Sequence, residues 1–87
     1  KMIPISEVEE IIKSSIKEVI EDNKFISLDK VFIGKDSEFE SIDIVQIIGL
    51  IEEKLEYKGY EGYDLLEKTF ENDKLTFNDL SILIQEY

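Results

Sequence analysis

The order of apolar and polar positions predicts a helix near the start of the chain. Apolar residues recur there at spacings of three and four, which places them on one face of a helix over about residues 6–22. The residues of that face are Val8, Ile11, Ile12, Ile16, Val19 and Ile20. Ser6 and Glu9 have the spacing of a capping box, so we expect this helix to begin at Ser6.

A second helix is predicted over about residues 41–55. At about 100° per residue, several aliphatic side chains of this segment fall on one face. They are Ile44, Ile47, Ile48, Ile51 and Leu55. Ile42 and Leu50 lie well off that face and should be exposed. They either belong to a contact surface or are scattered apolar residues of the kind that protein surfaces commonly carry.

Between these helices, from about residue 23 to residue 40, the apolar residues are irregularly spaced. They are Phe25, Ile26, Leu28, Val31, Phe32 and Ile33. Loops longer than about 12–15 residues are usually functional or disordered. Because so many large apolar side chains argue against disorder, we expect a long loop that lies on the core.

Two shorter helices complete the prediction. One covers about residues 63–70 and should turn three residues inward: Leu65, Leu66 and Phe70. The last helix begins near Thr76 or Asn78, either of which can cap it. Its apolar residues are Leu80, Ile82, Leu83 and Ile84. No segment alternates in the manner of a strand. We therefore expect an all-α fold in a single domain, residues 1–87. It is a small four-helix bundle with three main helices, a short third helix and a long loop between the first two.

Composition then narrows the chemistry. The chain has 21 acidic and 10 basic residues, a formal net charge of -11, and no His, Cys or Arg. Without His or Cys it cannot form a Ser-His-Asp triad, a thiol nucleophile, a Cys/His zinc site or a disulfide. A strongly negative surface repels the phosphates of nucleic acids. We expect neither catalytic residues nor a nucleic-acid partner.

Metal and membrane binding are also not expected. Calcium loops that start at Asp36 or Asp73 would lack the glycine that an EF-hand needs at its sixth position. No apolar run approaches the roughly 20 residues that cross a bilayer. The N-terminus lacks the pattern of a signal peptide, so we predict a cytoplasmic protein.

Ser41 stands where the long loop meets the second helix. Its position alone allows two interpretations. Serine is a common N-cap. A serine at this position also has an accessible hydroxyl, and the positive end of the helix dipole favours a phosphate attached to it. Ser37, with Glu40 three residues later, forms a second possible capping box that would start the helix earlier.

The segment Glu40–Leu55, which reads ESIDIVQIIGLIEEKL, resembles the acyl carrier protein family. That family carries an Asp-Ser-Leu motif, followed by a helix with aliphatic spacing that ends in paired glutamates before a bulky apolar residue. Ser41 matches the serine that receives 4'-phosphopantetheine, and Ile42 matches the apolar residue after it. Glu52 and Glu53 match the acidic pair. The order and approximate lengths of the predicted helices extend the resemblance over nearly the whole chain.

The chain departs from the family pattern at a few positions. Glu40 stands in place of the usual Asp, and Gly49 stands where a larger residue is usual. The stretch from Tyr57 to Tyr63 is also unusual. These differences indicate a specialised carrier of a dedicated pathway, and they leave open which transferase accepts it.

The resemblance implies a covalent cofactor and a docking surface. A phosphopantetheinyl transferase would attach 4'-phosphopantetheine from coenzyme A to Ser41, and the thiol of that arm would carry an acyl group as a thioester. Acyl-loading and acyl-processing enzymes with basic patches would then dock on an acidic, partly apolar surface of a monomeric carrier. The expected surface residues are Glu40, Ile42, Asp43, Val45, Gln46, Gly49, Leu50, Glu52 and Glu53.

Two other functions remain open at this point. The chain could be a carrier-like interaction domain that is never modified, in which Ser41 only caps the helix. It could also be a small acidic helical adaptor or inhibitor that resembles carriers by convergence. The carried acyl or aminoacyl group and the pathway stay undetermined.

Overall fold

Four helices and a two-stranded sheet form the described part of the chain, which is residues 3–20 and 27–87 of a computed structural model. The elements in chain order are α1 (Ile5–Val19), β1 (Val31–Ile33), α2 (Ser41–Tyr57), α3 (Leu65–Phe70), β2 (Leu75–Thr76) and α4 (Phe77–Glu86). The prediction of three longer helices and a short third one is confirmed. The fold is mainly helical, and the small sheet is an addition to what the sequence predicts.

The hydrophobic core lies between α1, α2 and α4, and α1 packs against both of the other helices. The buried residues of α2 are Ile44, Ile47, Ile48, Ile51 and Leu55, which confirms the predicted face. The predicted stripe of α1 is buried from Val8 to Ile16, while Val19 and Ile20 are half-buried. Full burial of one such side chain stabilises a fold by roughly 1.5–3 kcal/mol. These aliphatic faces therefore determine how the helices are arranged.

Polar side chains join α1 to the C-terminal half of α2. The Lys54 ammonium pairs with the Glu18 carboxylate and donates a hydrogen bond of 2.9 Å to the Ser14 hydroxyl. Glu7, early in α1, meets Lys58 just beyond the end of α2. Glu18 and Val19, late in α1, line a groove together with Gln46 and Gly49 from the middle of α2. The two helices therefore run antiparallel.

Glu7 forms the second polar contact between these helices. Its carboxylate accepts a hydrogen bond of 2.8 Å from the Tyr60 hydroxyl and one of 3.2 Å from the Lys58 ammonium. The Tyr60 bond, with a smaller effect of Lys58, holds the pKa of Glu7 below its ordinary value. The same bond to the carboxylate raises the pKa of Tyr60.

The connection before α2 contains a strand, which the expectation of an all-α fold did not include. β1 pairs antiparallel with β2, with Val31 opposite Thr76 and Ile33 opposite Leu75. Strands of three and two residues are too short to show an alternating pattern. As predicted, the connection contributes to the core, through buried Phe32 and Ile33 and half-buried Leu28 and Val31. The predicted loop residues Phe25 and Ile26 lie outside the described residues.

The start of α1 differs from the prediction. The Pro4 carbonyl accepts the first backbone bonds of the helix, and no side-chain cap hydrogen bond is present there. The capping box of Ser6 and Glu9 is therefore wrong, because the helix already begins one residue before Ser6. α1 ends at Val19, and the predicted end at residue 22 lies outside the described residues.

α3 turns a different face inward than expected. Leu65 and Thr69 are buried, whereas Leu66 and Phe70 are 38% and 47% exposed. The prediction that Leu66 and Phe70 face inward is wrong. Leu65 and Thr69 are four residues apart and share one face, and Leu66 and Phe70 occupy the next. In a six-residue helix the apolar residues alone do not show which face is covered.

α4 begins as predicted with Thr76 as its cap. The Thr76 hydroxyl accepts a hydrogen bond of 3.0 Å from the Asp79 backbone N–H, and the Asp79 carboxylate accepts one of 3.0 Å from the Thr76 N–H. This reciprocal pair is a capping box. Asn78 has a different role, because its side-chain amide donates a hydrogen bond of 2.6 Å to Asp29 in the loop before β1.

Gly34 follows β1 in a backbone conformation that favours glycine. Its φ is +122°, and a Cβ built there would lie 2.7 Å from the backbone oxygen of Asp73. Gly49, in the middle of α2, has no neighbouring atom within 4 Å of such a Cβ. Substitution of the two glycines therefore tests the close contact between the loop at Gly34 and the loop at Asp73, with Gly49 as the control.

Gly34→Ala is expected to lower the free energy of unfolding by about 1–3 kcal/mol, because of the positive φ and the contact with Asp73. Gly49→Ala is expected to raise it by about 0.5–1 kcal/mol, since alanine is the better helix former. Urea unfolding followed by circular dichroism measures both. An unchanged midpoint for Gly34→Ala would contradict the close approach of the two loops.

The Glu7–Tyr60 contact predicts a pH-dependent stability. A lowered folded-state pKa means that Glu7 stabilises the fold above the pKa it has when unfolded, and that this stability is lost as pH falls through the folded value. Tyr60→Phe should therefore reduce stability near about pH 7, and its difference from wild type should shrink toward about pH 3. Tyr57→Phe, at a 92% exposed position, is the control and should match wild type throughout in urea unfolding.

Candidate functional site

Ser41 is the first residue of α2, and its side chain is exposed. The cap position belongs to Glu40, whose backbone is extended (φ -77°, ψ 155°) and whose carbonyl accepts a hydrogen bond of 3.0 Å from the Ile44 N–H. A carbonyl that accepts the first intrahelical bond marks the N-cap. The interpretation of Ser41 as the helix cap is therefore wrong, and its hydroxyl is presented to solvent at the helix N-terminus.

The loop before Ser41 is held by Ser37. The Ser37 hydroxyl donates a hydrogen bond of 2.9 Å to the Phe32 carbonyl and accepts one of 3.1 Å from the Phe39 N–H. The Ser37 N–H donates to the Gly34 carbonyl at 3.0 Å. These bonds make a turn, so the second possible capping box, which would have started the helix at Ser37, is wrong. The Ser37 hydroxyl accepts a bond from the N–H two residues later, as in a turn, and is therefore not used to cap a helix.

Phe39, two residues before Ser41, belongs to an aromatic cluster that the sequence analysis missed. Its half-buried ring lies 5.5 Å from the ring of Phe77 and 6.4 Å from that of Phe32, edge-on in both cases. Phe32 and Phe77 are 4.6 Å apart and fully buried. Each such pair adds about 0.5–1.5 kcal/mol beyond area burial. The cluster thereby fixes the N-terminus of α2 against β1 and α4.

The exposed face of α2 carries most of the predicted partner-binding residues. Ile42 and Val45 are 58% and 43% exposed, so the prediction that Ile42 is exposed is confirmed. Leu50 is only half-buried and is less exposed than predicted. The other exposed members of this predicted set are Glu40, Gln46, Gly49 and Glu53, and Asp43 is partly exposed. The geometry therefore brings apolar and acidic side chains together beside Ser41.

Glu52 has a structural contact that the sequence analysis did not predict. Its carboxylate accepts a hydrogen bond of 2.6 Å from the Leu65 N–H, at the first residue of α3. The cap residue of α3, Asp64, makes no side-chain cap hydrogen bond, so Glu52 supplies an acceptor to an N–H that the short helix leaves unpaired. Glu52 shares a helix face with Ser41 and Val45, which places α3 on that side of α2.

Within residues 3–20 and 27–87, no group of three or more acidic side chains is placed to hold a metal ion. None of the helices described there is long and apolar enough to cross a membrane.

Comparisons of this chain with protein-family models, with curated proteins and with solved structures give no match. The resemblance to acyl carrier proteins therefore stays a prediction that rests on the residues around Ser41 and on the order of the helices.

The different positions of the two serines predict different effects on stability. Ser37→Ala removes two hydrogen bonds and should lower the free energy of unfolding by about 1–2 kcal/mol. Ser41→Ala removes an exposed hydroxyl that is not the cap and should change it by less than about 0.5 kcal/mol. Urea unfolding of both variants is the measurement. A loss of about 1 kcal/mol or more in Ser41→Ala would indicate that this hydroxyl supports the helix after all.

Proposed function

We propose that the protein is an acyl carrier protein that holds acyl intermediates as thioesters on a 4'-phosphopantetheine arm attached to Ser41. The observation that carries the proposal is the position of Ser41. Its hydroxyl is exposed at the first residue of a 17-residue helix, inside the segment that resembles the family, and the helix does not need it as a cap. Such a hydroxyl is available for modification without loss of the fold.

The chain's own residues fit a phosphate at this position. The first N–H groups of α2 have no intrahelical acceptor, and the helix dipole favours a negative charge there. Glu40 and Asp43 oppose that charge, but Ser41 and Glu40 are exposed and Asp43 is partly exposed, so water screens the repulsion.

The attachment is a transfer between oxygens at phosphorus. The Ser41 oxygen forms a bond to the phosphorus that bears pantetheine, the pyrophosphate linkage of coenzyme A breaks, and the adenosine bisphosphate leaves. The hydroxyl proton passes to a base of the transferase or to water. The bound group supplies the thiol that the chain lacks, since the sequence contains no Cys.

Presentation to partner enzymes depends on the charge around Ser41. Between Asp36 and Glu53 the sequence has six acidic residues and no Lys, a local charge of -6. Such a surface attracts enzymes with basic patches, and the rate of encounter falls as salt rises. Exposed Ile42 and Val45 supply apolar contact area beside this charge. Because Glu52 is already bonded to α3, we assign the docking contribution beside Ser41 to Glu40 and Asp43.

The unmodified interaction domain is the less favoured function. That hypothesis gave Ser41 the role of a helix cap, and the cap is Glu40. Among the described residues, the surface around Ser41 gives no reason to prefer an adaptor or inhibitor over a carrier. A specialised pathway, a monomeric state and a cytoplasmic location stay predictions from the sequence.

Mass spectrometry of the intact protein tests the proposed modification. After incubation with coenzyme A and a broad-specificity phosphopantetheinyl transferase, wild type and Ser37→Ala should each gain one phosphopantetheine, and Ser41→Ala should gain none. Ser37→Ala is the matched control because its hydroxyl is engaged in the loop. If wild type gains no mass with any transferase while Ser41→Ala folds normally, the unmodified interaction domain becomes the better account.

A further inference from the structure

A groove of about 470 Å³ lies between α1 and the C-terminal half of α2, well away from Ser41. Most of its lining surface is apolar, and its two apolar lining residues are Ile11, which is almost fully buried, and Tyr57. Tyr57 is 92% exposed, so its ring contributes little to the core. The groove thus combines an apolar surface with an aromatic side chain that adds little to the core.

The two lysines of the groove are already compensated by acids outside it. Lys54 pairs with Glu18, and Lys58 lies 3.2 Å from the Glu7 carboxylate. Neither ammonium group is therefore free to give the groove a positive potential.

The groove is also lined by two carboxylates. Glu10 lies on α1 and Glu53 on α2, so each helix contributes one acid to the groove. Within residues 3–20 and 27–87, the ion pairs involve neither of them. Glu10 and Glu53 therefore give the groove a negative charge from each helix, next to its apolar surface.

We propose that this groove binds a basic amphipathic helix of a partner protein. An apolar side chain of that helix covers Ile11, and its lysine or arginine side chains contact Glu10, Glu53 and the ring of Tyr57. A second copy of this chain would bring another net charge of -11 and is disfavoured by repulsion. Anionic membranes and nucleic acids are disfavoured for the same reason.

The groove and Ser41 can be occupied together. Glu53 is the twelfth residue after Ser41 in α2, which corresponds to about 18 Å along the helix axis. A partner held in the groove therefore leaves the N-terminus of α2 open. The inference requires no modification of Ser41, so its failure and the failure of the carrier proposal can be told apart.

The test uses a fluorescein-labelled synthetic helix of leucine and lysine, with one apolar and one basic face, and the unmodified full chain. Fluorescence anisotropy measures its dissociation constant. Tyr57→Ser should weaken binding roughly two- to fivefold, while Tyr57→Phe, which keeps the ring, should bind as wild type does. Ser41→Ala should also bind as wild type does.

The matched control concerns charge. Glu10→Gln with Glu53→Gln should weaken binding, whereas Glu71→Gln with Glu86→Gln should not. The second pair removes the same net charge from a groove of about 400 Å³ lined by α3 and α4 residues. Amide chemical shifts should change most around Glu10, Ser14 and Tyr57. Absence of binding, equal weakening by both double variants, or shifts centred on Ile42 and Gln46 would overturn the proposal.

Discussion

Burial of the aliphatic face of α2 is the interaction on which the rest of the structure depends. Five branched side chains, from Ile44 to Leu55, are almost completely buried between α1 and the other elements. Each fully buried side chain stabilises the fold by roughly 1.5–3 kcal/mol, and among the elements of residues 3–20 and 27–87 none buries more large apolar side chains than α2. Once this face is fixed against the core, the opposite face is fixed as well. Ile42, Gln46, Gly49 and Glu53 then face solvent, and Ser41 is exposed at the helix start.

The two ends of α2 are held by different means. At the N-terminal end, the Phe39 ring and the Ser37 hydroxyl tie the preceding loop to β1 and α4. At the C-terminal end, Glu7 accepts hydrogen bonds from Lys58 and Tyr60, just beyond the helix. A helix anchored at both ends gives Ser41 a defined position. For the proposed carrier role this position matters, because the transferase must find the hydroxyl, and later enzymes the arm attached to it, in the same surroundings.

The parts of the fold that could be predicted are those with long, regular patterns. The inward face of α2 follows from a period of 3.6 residues sustained from Ile44 to Leu55. The cap at Thr76 follows from a local capping box with Asp79. The pairing of β1 with β2 could not be predicted, because it joins short segments more than forty residues apart. The inward face of α3 depends on how α2 meets it, and no local pattern specifies that.

The candidate site shows the same division. The residues next to Ser41 in the sequence were enough to identify it as a candidate site. The start of the helix was ambiguous, because both Ser37 and Ser41 could act as its cap. The turn made by Ser37 and the position of Glu40 resolve that ambiguity, and both depend on contacts with Phe32 and Phe77. The hydrogen bond between Glu52 and Leu65 joins residues thirteen positions apart. The family motif that Glu52 and Glu53 match gives no indication of it.

The proposed carrier function assigns the cofactor to the exposed hydroxyl of Ser41 and not to the engaged hydroxyl of Ser37. Cleavage after lysine releases residues 36–54 as one peptide that contains both serines. Fragmentation of this peptide, after treatment of the wild-type chain with transferase and coenzyme A, identifies the modified residue directly. The phosphopantetheine mass is expected on fragments that include Ser41 and not on those that include Ser37 alone. A modified Ser37, or an unmodified peptide with excess transferase, would contradict the assignment to Ser41.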